Sequence, residues 1–215
     1  MSFKHLLTRK HLPSSDPHNQ ELVYLKRNLQ IAIIDDEEFP EFNSLRNAGY
    51  SPVHFKDIDS FDQLLPYPII VCDIQGVGKN FGGTGQGAYI VSQVNELFPD
   101  KYVIVVSSKS ASLKVTSMIS KADKKLLRGN SDEINQALLD AVKTMGSSIE
   151  RWKRVRKHLI EQKNIDLLDV WVIEQEFISS VNSRDKSKIE RFIKNHADDM
   201  VKGLLINFIS GLIFT

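Results

Sequence analysis

A chain of 215 residues is longer than one typical domain of about 100–150 residues and shorter than two large ones. With 41% hydrophobic and 26% charged residues it can bury a proper core, and its one cysteine, Cys72, excludes an internal disulfide. A net charge of +1 gives no general pull toward nucleic acid or a membrane, and the most apolar run, Val201 to Thr215, is short of the ~20 residues needed to span a bilayer.

The charge is unevenly spread. Residues 1–28 carry five basic and two acidic side chains, residues 29–142 ten and fifteen, and residues 143–215 thirteen and ten. An acidic middle therefore lies between two basic ends. Residues 1–28 include Pro13, Ser14, Ser15, Pro17 and Asn19, and read as a flexible arm or a loosely docked lead-in. Met1 to Leu12 has no apolar core of signal-peptide length. With the lone cysteine, this gives a cytoplasmic expectation.

Gln30 to Ile34 is a continuous apolar run that predicts a buried parallel strand, and it ends in Asp35 and Asp36. Phe39 to Ala48 has helical spacing and Gly49 as its stop. Val53–Phe55 predicts a second strand, and Ser60–Leu65 a weak helix ended by Pro66. Ile69–Cys72 is a third buried strand, followed at once by Asp73. Ala88–Phe98 predicts a helix with Ile90, Val91, Val94, Leu97 and Phe98 on its apolar face. Tyr102–Val106 is a fourth strand followed by Ser107, and Leu113–Ile119 a helix. Leu126–Leu127 marks a fifth strand, and Ser131–Val142 a final helix with Ser131 as the expected N-cap. Five strands alternating with five helices imply a doubly wound α/β domain.

In such sheets ligands bind beyond the carboxyl ends of the strands. Asp35, Asp36, Asp73 and Ser107 all fall at those ends, on one edge. Three carboxylates meeting there repel one another unless a cation joins them, and hard oxygen ligands suit Mg²⁺ rather than zinc. A carboxylate beside Mg²⁺ is also a candidate nucleophile toward a phosphoryl group.

This layout resembles the receiver domain of bacterial response regulators, a flavodoxin-like module of two-component phosphorelays. The resemblance covers residues 29–145 and rests on IAIIDDEE (31–38), IIVCDI (69–74), VIVVSS (103–108) and the helix from Ser131. It implies Mg²⁺ bound by Asp35, Asp36, Asp73 and the backbone carbonyl of Gln75. It implies phosphorylation of Asp73 by a histidine kinase or phosphotransfer protein, with Ser107 as the hydroxyl switch residue.

The sequence also departs from the family pattern. Arg128–Gly129 stands where the family has Lys-Pro, and Arg128 is the residue left to contact the phosphoryl group. Lys125 stands where the family often has an aromatic residue. The usual Pro-Gly turn after the aspartate is replaced by GVGKNFGGTGQG (76–87). That stretch is no Walker A loop, because Asp73 sits where its first glycine belongs and Asn80 follows Lys79. It reads as a loop over the acidic edge, with Lys79 as a solvated lysine. Cys72, inside a strand, reads as a buried apolar residue.

From Ser147 onward the chain predicts helix after helix. Ile149, Trp152, Val155 and Leu159 share a face, and RWKRVRKH supplies a basic one. Ile165–Val181 is a second helix. A third follows Ser183 or Asp185 and runs through Phe192 and Ile193. Residues 201–214 form a fourth, apolar almost all round. Residues 146–215 thus form an α-helical module, read as an interaction or dimerisation module regulated by the receiver. Leu204, Leu205, Ile206, Phe208, Ile209, Leu212, Ile213 and Phe214 are hard to bury in so short a chain, so a homodimer or partner contact is expected. DNA binding through the basic run is less favoured, because no tight helix-turn-helix pair is visible. Membrane-surface contact is less favoured still. No catalytic spacing appears in 143–215, so no enzymatic output is expected. A receiver acting as a phosphorylation-independent scaffold is the main alternative.

Overall fold

The structure is a computed structural model that describes residues 11–15, 21–82, 86–108, 113–197 and 199–212. The chain divides into two compact units at residues 146 and 147. Residues 21–146 form one, and residues 147–212 with residues 11–15 form the other.

In the first unit the apolar runs become strands β1 (Gln30–Ile34), β2 (Ser51–Phe55), β3 (Ile69–Asp73), β4 (Tyr102–Ser107) and β5 (Lys124–Leu127). All pairings are parallel, in the order β2-β1-β3-β4-β5. This is the flavodoxin-like arrangement. β3 and β4 are buried along their whole length because helices cover both faces of the sheet. β5 is an edge strand whose burial alternates, leaving Leu127 64% exposed.

The helices of this unit are α1 (Leu22–Asn28), α2 (Phe42–Asn47), α3 (Gly87–Leu97), α4 (Leu113–Met118) and α5 (Ser131–Met145). One face of the sheet presents Ala32, Ile34, Ile70, Cys72, Val103 and Val105 to Ile90, Val91 and Val94 of α3. Side chains alternate along a strand, so the intervening Ile31, Ile33, Val71 and Ile104 point to the opposite face. There α5 lies against β3, β4 and β5, and α1 against α5 and β2.

Some local outcomes differ from the expectations. Residues 22–28 are helical, within what reads in sequence as an arm, with Leu25 as the buried anchor. The side chain of Asn130 caps α5 by accepting from the Glu133 N–H, so the N-cap is not Ser131, whose hydroxyl instead donates to Glu41 Oε1 at 2.8 Å. Ser60–Leu65 becomes one 3-10 turn over Phe61–Leu64, closed by a capping box from Ser60 and Gln63.

The second unit contains α6 (Ser148–Glu161), α7 (Leu167–Ser183), α8 (Ser187–His196) and α9 (Asp199–Ser210). Ser147 caps α6 and Asp166 caps α7. Trp152, Phe177 and Phe208 form the centre, with Trp152 stacked on Phe177 at 5.1 Å between ring centroids. The indole N–H donates to Glu174 Oε2 at 2.7 Å, which satisfies a polar group that burial would otherwise leave without a partner.

Packing within this unit bears on two of the sequence readings. Leu204, Leu205, Phe208, Ile209 and Leu212 are buried within the unit itself, so they need no partner to cover them. Ile213 and Phe214 lie outside the described residues. The basic run of α6 is largely engaged by its own unit. Arg151 is buried and donates to the Gly211 carbonyl, while Lys153 pairs with Glu150, Arg156 with Glu174 and Lys157 with Glu161. Among the described residues no helix is long and apolar enough to cross a membrane.

Candidate functional site: an acidic pocket held by an arginine

Parallel pairing decides where the acids go. In register, Ile34 lies beside Cys72, Asp73 beside Val106 and Ser107 beside Leu127. The residues that follow these strands therefore share the carboxyl edge of the sheet. Asp35, Asp36 and Asp73 each place a carboxylate oxygen within 4.8 Å of the others, the first and third buried and the second exposed.

Each buried carboxylate is held at both ends. Asp35 Oδ1 accepts the Glu37 N–H at 3.0 Å, and Asp73 Oδ1 accepts the N–H groups of Ile74 (2.6 Å) and Gln75 (3.3 Å). The other oxygen of each faces Arg128, whose Nη2 donates to Asp35 Oδ2 at 2.6 Å and to Asp73 Oδ2 at 2.7 Å. Its Nη1 lies 3.4 Å from Glu37 Oε2. The guanidinium side chain is 19% exposed and that of Asp35 only 2%. A carboxylate so far out of water needs a partner, and Arg128 is that partner. Burial pulls the Arg128 pKa down, but the hydrogen bonds and charges of Asp35 and Asp73 outweigh it and hold the group above its usual value.

The third carboxylate has a cation too. Lys79 Nζ lies 3.5 Å from Asp36 Oδ2, although both side chains are open to solvent. The glycine-rich stretch brings Lys79 there. Asp57, two residues past β2, accepts the N–H groups of Gly78 (2.7 Å) and Lys79 (3.1 Å), and Asn80 donates to Asp59 at 2.6 Å. Phe81 stacks on Phe61 at 4.7 Å and fastens the same loop. Gly76 has φ +77°, and a Cβ there would lie 2.0 Å from Asp36 Oδ1. Only glycine allows the loop to run so close to the carboxylate.

Ser107 ends β4 on this edge, 8% exposed, and its carbonyl accepts the Arg128 N–H at 3.0 Å. Gln75 lies in the turn after Asp73. His54 Nε2 sits 2.8 Å from the Asp35 carbonyl oxygen, an acceptor, so that nitrogen carries the proton. The Cys72 thiol is pushed well above its ordinary pKa by burial first and then by Asp73, Asp57 and Asp35, and it stays protonated.

The structure thus gathers Asp35, Asp36, Asp73 and Arg128, with Ser107 joined to them through the backbone. Glu37, His54 and Asp57 are site residues that the sequence reading passed over. Asp57 carried a usable signal, since it follows a strand as Asp35 and Asp73 do. Glu37 and His54 carried none that separates them from ordinary surface groups.

No protein-family model matches the sequence, and no similar protein is found among curated ones. Solved structures with similar folds include a CheY-like response regulator receiver domain protein from Methanospirillum hungatei, at 16% identity and TM-score 0.44, covering 54% of this chain and 95% of that one. The signal receiver domain of an HD domain-containing protein from Pseudomonas fluorescens shares 15% identity at TM-score 0.45, over 55% of this chain and 98% of that one. A response regulator protein from Burkholderia pseudomallei, with a phosphorylated aspartic acid, calcium ion and citrate, shares 18% at TM-score 0.41, over 83% and 97%. These likenesses are of fold, and the flavodoxin-like assignment rests on the strand order above.

Proposed function

We propose that residues 21–146 act as a receiver-type signalling domain in which Asp73 accepts a phosphoryl group and the helical unit carries the output. The observation behind this reading is the placement of Asp73 at the end of a central strand, with two further carboxylates within reach of the same ion and a cation on its outer oxygen. The oxygen-only donor set suits a hard ion, so Asp35, Asp36 and Asp73, with the Gln75 carbonyl, would hold Mg²⁺. When bound, Mg²⁺ would neutralise charge on the transferring phosphoryl group.

The chain's own part in the transfer is defined by its carboxylate. Asp73 Oδ1 is fixed by two backbone N–H groups, which leaves Oδ2, the oxygen facing Arg128, as the nucleophile. An O–P bond forms at Oδ2 as the P–N bond of a phosphohistidine donor breaks, and the imidazole nitrogen keeps the electron pair. Ser107 and Arg128 would then contact the phosphoryl oxygens. The donor class is that of histidine kinases or phosphotransfer proteins.

Titration with beryllofluoride and Mg²⁺, followed by NMR, tests the proposal. Wild type should show a saturable, Mg²⁺-dependent change that Asp73→Asn lacks. Identical behaviour of the two proteins would remove the phospho-acceptor reading. One observation favours a second reading: Arg128 already neutralises Asp35 and Asp73, which suits a domain that docks to partners without phosphorylation.

A further inference from the structure

Each carboxylate of the acidic cluster already has a protein cation beside it. Arg128 spans Asp35 and Asp73 at 2.6 and 2.7 Å, and Lys79 stands 3.5 Å from Asp36. The guanidinium takes Oδ2 of both buried carboxylates, while their Oδ1 atoms are held by backbone N–H groups. A metal ligated by Asp35 and Asp73 would sit beside the Arg128 guanidinium, so the two positive charges compete for the same pair of carboxylates.

The geometry also supplies somewhere for the side chain to go. Arg128 Nη1 already lies 3.4 Å from Glu37 Oε2, and the Glu37 side chain is 77% exposed. The Arg128 backbone is tied to Ser107, so a side-chain swing toward Glu37 leaves β5 in place. Asn130, the cap of α5, is only two residues further on, so the swing occurs beside that helix terminus.

We propose that Arg128 is the resident cation of this pocket and that Mg²⁺ enters by exchange with it, releasing the guanidinium toward Glu37. The exchange deepens the receiver reading above and rests on it. It makes metal occupancy, rather than phosphorylation alone, a signal at the β5–α5 turn. It also makes arginine at this position a brake on metal binding. A binding site blocked by its own side chain shows an apparent affinity reduced by the fraction of time it is blocked.

The test compares Mg²⁺ binding by calorimetry in full-length wild type and Arg128→Gln, with melting curves in EDTA and in saturating MgCl₂. Removing the competitor should tighten Mg²⁺ binding roughly tenfold or more, since a full charge leaves a poorly solvated pocket. In EDTA the variant should melt below wild type, and Mg²⁺ should close most of that gap. Arg128→Lys, which keeps one charge but cannot present two parallel donors, should fall between the two and guards against poor folding of the glutamine variant. Equal or weaker Mg²⁺ binding by both variants, with a melting gap that Mg²⁺ leaves unchanged, overturns the exchange and leaves the receiver reading standing. Absence of Mg²⁺ binding in all three proteins overturns both.

Discussion

Two glycines with the same backbone strain and different surroundings separate folding from site geometry. Gly49 has φ +84° and Gly76 has φ +77°, both in the left-handed region. Alanine at either position costs about 1–2 kcal/mol for that conformation. At Gly49 an added Cβ would find nothing within 4 Å. At Gly76 it would lie 2.0 Å from Asp36 Oδ1 and 2.1 Å from Cγ, so the carboxylate has to rotate away. The Asp36 side chain is 36% exposed, so rotation into solvent is cheap, and the exposed Lys79 pair it gives up is worth ~0–1 kcal/mol. Gly49→Ala and Gly76→Ala should therefore lose similar stability in urea unfolding followed by circular dichroism, agreeing within about 1 kcal/mol. Only Gly76→Ala should weaken Mg²⁺ binding measured by calorimetry, roughly tenfold or more, because one carboxylate has left the cluster. The reasoning fails if Gly76→Ala costs several kcal/mol more than Gly49→Ala, which would mean that Asp36 cannot move. Unchanged Mg²⁺ affinity in Gly76→Ala would show that Asp36 is not a ligand.

Two further outcomes test the packing. Trp152→Ala should destabilise the helical unit by about 3–5 kcal/mol, and Trp152→Phe by about 1–3 kcal/mol through loss of the indole bond to Glu174, both read from Trp171 fluorescence in denaturant. A phenylalanine variant as stable as wild type would show that the bond contributes nothing net. Cys72, fully buried and held protonated, should resist a thiol reagent at pH 8 in the native protein and react only after unfolding. Stoichiometric native labelling within minutes would refute that burial.

Much of the sheet was legible from local pattern. Ile31–Ile34, Ile69–Cys72 and Tyr102–Val106 are apolar without interruption, and short runs of this kind bounded by turn residues mark strands buried on both faces. The acids after the first and third runs and the serine after the fourth then had to meet at one edge, because parallel strands end together. The weaker features were not legible. β5 is an edge strand with alternating burial, so only Leu126 and Leu127 announced it where Lys124–Leu127 formed. The N-cap is Asn130, one residue before the expected Ser131, whose hydroxyl donates to Glu41, 90 residues away. Arg151 looked like part of a basic surface, yet it is buried and donates to the Gly211 carbonyl just past α9, 60 residues on.

The charge pattern along the chain showed an acidic middle and basic ends, and that much is composition. Which cation meets which acid is a different matter. Arg128 is 93 residues from Asp35 and 55 from Asp73, and Lys79 is 43 from Asp36. Local periodicity marks strands and helices because side-chain direction repeats every two residues in one and about every 3.6 in the other. The neutralised cluster depends on strand order and on side-chain reach across the carboxyl edge of the sheet, and these exist only once the chain has folded.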